Sequence, residues 1–232
     1  MATGISTASI AVQSSQPTAR RSLFELLGGY MLILAVIWTP RPWQARIYLI
    51  AALFIVWATL RSWPGLDVMG WRRANLLRSA GIILAAATVS AVAVACAARI
   101  GTLHTPPTAA LFVQRFVGYI IFACIQQFLL QNFFLWRLLQ IGLTQRNAVL
   151  TAAAIFAVAH LPSPILTCLT FIWGVAATAW FLRYRSLYSL AVAHMILGIT
   201  VAICIPGPTI RNMRVGLGYL TYRAPHSHHL SH

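Results

Sequence analysis

From Arg20 to Pro208 the chain is a succession of long apolar runs, broken by prolines, arginines and a scatter of other polar residues. No soluble domain of 232 residues can hide a composition that is 59% hydrophobic and 8% charged. The class this dictates is all-α: a polytopic transmembrane helical bundle of about seven spans. They fall near 23–39, 44–60, 77–98, 112–140, 145–161, 164–183 and 186–205. About 20 apolar residues cross a bilayer, so 145–161 is the softer of these. The run 112–140 has the opposite problem: at about 1.5 Å per residue it reaches roughly 42 Å, and it must tilt, protrude or bend. Prolines supply the breaks, at Pro40 and Pro42, Pro64, Pro106 and Pro107, Pro162 and Pro164, and Pro206 and Pro208.

Three regions follow. Residues 1–19, rich in Ser, Thr, Ala and Gln, read as a flexible N-terminal tail, residues 20–210 as the membrane domain, and residues 211–232 as a polar C-terminal tail ending in His226, His228, His229 and His232. Arg20-Arg21 before an apolar run also fits a secretory signal peptide. The following Thr39-Pro40-Arg41-Pro42-Trp43 lacks a small-residue cleavage site, which favours a retained anchor. The four histidines of the tail read as solvated side chains.

All 17 basic residues are arginine and the formal net charge is +15. They sit at the ends of apolar runs and form no continuous stripe, so the expected partner is the lipid bilayer and its headgroups, not nucleic acid. With the N-terminus inside, ten arginines face the cytoplasm and seven the other side. That leans toward a cytoplasmic N-terminus in a bacterial-type cytoplasmic membrane. The stretch from Gly65 to Arg78 reads equally as a segment lying flat in the headgroup region or as an ordinary basic loop. Cys96, Cys124, Cys168 and Cys204 read as buried small hydrophobes with no disulfide framework.

Against this background the polar residues inside the runs stand out. Gln126, Gln127 and Gln131 lie in 112–140, His160 closes 145–161, and His194 lies inside 186–205. Gln127 and Gln131 are i and i+4 and share a helix face; Cys124 is expected one turn before them on that face, and Gln126 is turned away by about 100°. One such glutamine is easily accounted for by an interhelical hydrogen bond, worth about 0.6 kcal/mol. Three within six residues, with histidines on two further spans, point to a shared polar cavity.

The sequence here resembles the CPBP family: CAAX prenyl proteases and bacteriocin-processing or immunity (Abi) proteins, polytopic membrane proteins regarded as glutamate-type intramembrane endopeptidases. The family pattern is a glutamate pair with an arginine further on, then Phe-x-x-x-His, then His with Asn or a similar residue four positions later. Phe156 and His160 meet the second part and His194 the third, over a family-like core of residues 112–205. The asparagine position holds Gly198, and both glutamates and the arginine are glutamine: Gln126, Gln127 and Gln131. The resemblance implies a site built from Gln126, Gln127, Gln131, His160 and His194, acting on a peptide or membrane-protein substrate and needing no cofactor.

The chemistry departs from the family at its centre. A buried glutamate takes a proton from water; a glutamine amide only donates and accepts hydrogen bonds. The two carboxylates, Glu25 and Asp67, lie far from the motifs in sequence. Two routes remain for catalysis: an imidazole base, or a Cys124 thiol that an apolar setting disfavours. Two histidines with no third ligand make no metal site. Two readings stay open: an endopeptidase variant with histidine as base, and a non-catalytic relative that binds a peptide, lipid or partner span. Oligomeric state is not legible.

Overall fold

The computed structural model describes residues 19–71 and 75–223. Among them there is no strand. Helix α1 spans Ala19–Trp38 and α2 spans Arg41–Arg61, entered through Pro42 at its first turn, where a missing N–H costs nothing. The short α3 (Leu76–Ser79) leads into α4 (Gly81–Arg99). Helix α5 (Ala109–Phe128) runs on through a π-helical segment, Leu129–Leu135, into α6 (Trp136–Gln140). Then come α7 (Gln145–Val158), α8 (Pro164–Tyr184), α9 (Leu187–Cys204) and, past a 3₁₀ turn, α10 (Gly216–Leu220).

Six of these stretches are long and apolar enough to cross a membrane: 19–38, 41–61, 76–99, 109–140, 164–184 and 187–204. The seventh expected crossing is α7, with 14 residues. Contacts sort the helix ends into two groups. Ser22 bonds Gln140, Arg137 reaches Ser62, Arg185 bonds the Val68 carbonyl, and the Leu187 N–H donates to Gly70 O, so all these lie at one end. The His104 N–H donates to Ile203 O and the Gly216 N–H to Leu161 O at the other.

The stretch after Gly65 meets the body of the protein. Met69 is buried, and a Cβ on Gly70 (φ +82°) would come within 3.0 Å of the Leu187 nitrogen. Only glycine suits a left-handed backbone pressed so closely on another turn. Arg72 and Arg73 lie outside the described residues. Arg78 ends α3.

The run 112–140 resolves its excess length by changing pitch. Leu130 through Leu135 are all buried, six in succession, because this part of the helix is enclosed by α2, α7 and α8 on several sides at once. A π segment inside a long helix also re-aims the side chains beyond it. Gly29 of α1 lets Phe133 approach: a Cβ there would stand 2.5 Å from the ring. Helices α7 and α8 meet through small residues too: a Cβ on Gly174 would stand 3.0 Å from the Ala153 Cα. Such contacts let backbones come close where lipid offers no hydrophobic drive.

Two sequence expectations are corrected. Cys124 does not share the face of Gln127: it is exposed, while Gln127 is fully buried. Three residues rotate an α-helix by about 300°, and Ala123, four residues before Gln127, is the one that lies inward. The cysteines are also not buried: Cys96 and Cys168 are exposed and Cys204 is half-buried. The polar segment from 211 carries structure as far as it is described. Arg211 stacks on Tyr219 at 4.1 Å and donates to its carbonyl, and Gly216 sits against Ile37 of α1. The expected N-terminal tail, apart from Ala19, and the histidines of the C-terminal tail lie outside the described residues.

Candidate functional site

Helix α5 presents Gln127 inward and the start of the π segment presents Gln131 one turn later, so the two amides stack along one face. Gln131 Nε2 donates to Gln127 Oε1 over 3.3 Å, and Gln127 Nε2 donates to His194 Nδ1 over 2.9 Å. All three side chains are buried. Helix α9 aims His194 inward because Leu187, Leu190, His194 and Gly198, spaced by three or four, make its buried stripe.

His160 comes from the turn that ends α7. Its Nδ1 lies 2.7 Å from the Phe156 carbonyl, one of the carbonyls left open at a helix C-terminus. Both imidazoles pack edge-on against the Phe156 ring, with centroids at 4.9 Å for His160 and 6.0 Å for His194. Tyr119 and Trp173 close around His194 at 6.5 and 5.7 Å. Gln126, half-buried, makes no side-chain hydrogen bond to the described residues and stands outside this chain of contacts.

These contacts assign the protons. A carbonyl only accepts, so Nδ1 of His160 carries hydrogen and Nε2 of the neutral ring keeps a bare lone pair. An amide nitrogen only donates, so Nδ1 of His194 accepts and its Nε2 carries the hydrogen. The site therefore offers one imidazole fit to take a proton and one fit to donate a hydrogen bond, both against one aromatic ring.

Residues 109–200 match the family model described as Type II CAAX prenyl endopeptidase Rce1-like. The chain carries a CAAX-protease-like membrane segment. The match runs from α5 into α9 and takes in the glutamines and both histidines. No curated protein and no solved structure matches the chain.

The carboxylates do not enter this cluster. Glu25 is buried, 2.9 Å from Arg21 Nε and 3.0 Å from Arg137 Nη2, and Arg137 in turn lies 3.8 Å over the Phe133 ring. That carboxylate is engaged by two guanidiniums, Arg21 on its own helix and Arg137, six residues beyond Gln131 on the long helix. Arg137 is wholly buried, so it acts as the partner of Glu25 and not as a headgroup anchor. Asp67 lies in the turn whose backbone closes on Gly70. Among the described residues no group of three or more His, Cys, Asp or Glu side chains is placed to hold a metal ion.

Sequence reasoning missed Tyr119. A Cβ on Gly198 would overlap the Tyr119 hydroxyl. The absent side chain thus makes room for a phenol that arrives from α5. The signal was present in the stripe Tyr119, Ala123, Gln127, Gln131, four residues apart and on one face. What hid it was that a tyrosine in an apolar run reads as an ordinary aromatic.

Proposed function

We propose that this CAAX-protease-like membrane protein keeps the peptide-binding scaffold of a glutamate-type intramembrane endopeptidase but has given up the glutamate chemistry. It holds a peptide, lipid tail or partner span beside His160 and His194 in a bacterial-type cytoplasmic membrane, N-terminus inside. The observation that carries this reading is Gln127. Both ends of its amide are used, the oxygen by Gln131 and the nitrogen by His194. An amide so engaged has no proton-accepting capacity for water. Glu25 cannot replace it without leaving two arginines uncompensated.

A second reading rests on His160. Its Nε2 is free of any hydrogen bond to the described residues, and a neutral imidazole with a free lone pair is a competent general base. In that case the protein hydrolyses a peptide bond with histidine as base and the His194 Nε2–H toward the developing oxyanion. Purified protein in lipid nanodiscs, offered membrane-tethered peptides with and without a prenyl group, separates the two. Binding without cleavage supports the first reading. Cleavage abolished by both His160→Ala and His194→Ala overturns it in favour of the second.

A further inference from the structure

Beyond Gln131, on the side away from His194, the helix passes a small cavity lined by Gln131, Asn132 and Trp136 of the long helix, with Val68, Phe181 and Arg185 opposite. It admits the centre of a water-sized sphere over about 10 Å³, the space one molecule of water requires. Three of its lining residues each have a buried polar atom without a hydrogen-bond partner among the described residues: Gln131 Oε1, Asn132 Nδ2 and Trp136 Nε1. Gln131 is 1% exposed and Asn132 7% exposed. Leaving a donor or acceptor buried and unmet costs about 1–3 kcal/mol, so three together at one small cavity mark a binding site.

We propose that this cavity is the site of one ordered water, which anchors the amide chain and fixes the proton on His194. The chemistry selects the ligand. Asn132 Nδ2 and Trp136 Nε1 donate and Gln131 Oε1 accepts, so the ligand takes two hydrogen bonds and gives one. Water does this with the three bonds that buried waters typically make. A cation is disfavoured by two donors and the nearby Arg185, and an anion by the Gln131 oxygen. The water donates to Gln131, Gln131 to Gln127, and Gln127 to His194 Nδ1, so every donor points the same way. Hydrogen bonds in such a file polarise one another. The file begins near Val68 and Arg185, at the end of the bundle where Arg137 and Ser62 also meet. It stands whether or not the protein cleaves peptides.

The test is solid-state NMR on full-length protein in nanodiscs, with ¹⁵N in tryptophan and histidine. The Trp136 indole, assigned by its loss in Trp136→Phe, is expected to show a water cross-peak. The Trp173 indole, equally unpartnered but outside the cavity lining, is expected to show none. His194 is expected with bare Nδ1 and protonated Nε2, and Asn132→Leu is expected to lose the Trp136 cross-peak. A Trp136 indole without water contact in the wild-type protein overturns the proposal, and that measurement needs no variant to fold. A cross-peak that survives Asn132→Leu overturns the assigned partners.

Discussion

Gln127 Nε2 lies 2.9 Å from Nδ1 of His194. Changing that one atom from nitrogen to oxygen reverses the contact. In a Gln127→Glu variant the carboxylate oxygen accepts, so His194 must bring its proton to Nδ1, and the ring changes tautomer or charge. Gln126→Glu combined with Gln127→Glu is therefore expected to create hydrolysis of membrane-tethered peptides, at least tenfold over the wild type, since a positioned acid–base group contributes about 10²–10⁴-fold. The check is product formation by mass spectrometry. An inactive double variant with native unfolding behaviour would show that more than the amides silences the site.

Tyr119 and Gly198 are expected to behave as one unit. Gly198→Asn alone forces a side chain into the Tyr119 hydroxyl and should cost about 1–3 kcal/mol by overpacking. Gly198→Asn with Tyr119→Ala should recover much of that loss, because contacting residues are not additive. Unfolding midpoints in detergent, read by intrinsic fluorescence, measure the coupling; simple additivity of the two changes would refute the contact.

The buried Glu25–Arg137 pair carries a different expectation. Glu25→Ala leaves a wholly buried guanidinium with one partner fewer, which should destabilise by about 3–5 kcal/mol. Replacing both, Glu25→Leu with Arg137→Met, should cost far less than either single change. The same unfolding assay reads it, and a mild effect of Glu25→Ala would mean that water or lipid headgroups reach the pair.

The two groups of helix ends predict sidedness. In a background without native cysteines, Arg146→Cys and Thr102→Cys are expected to react with a membrane-impermeant maleimide from opposite faces of oriented vesicles. The cytoplasmic face should expose the residue 146 site, following the arginine excess on that side. Labelling of both from one face would end this topology.

Much of this molecule is legible without any coordinates. Composition forces the membrane, since apolar runs of this length have no other solvent, and prolines mark where helices stop. The i, i+4 relation of Gln127 and Gln131 follows from helix geometry, and it survives at the border of the π segment. Cys124 falls off the expected face because three residues are short of a full turn. The change of pitch at Leu129 is invisible in the sequence, because apolar residues on every side of a helix carry no phase.

The sequence by itself determined the class, the spans and the identity of the polar groups, because transfer of side chains from water to lipid depends on composition alone. Only the tertiary structure decided which of them meet. Gln126 stands aside while Gln127 reaches across 67 positions to His194. Glu25 is withdrawn into an ion pair with a residue 112 positions away, and Tyr119 takes the space that Gly198 leaves. Hydrogen bonds and steric fit are short-ranged, so they are fixed by which helices lie side by side, and that is a property of the bundle and not of any run within it.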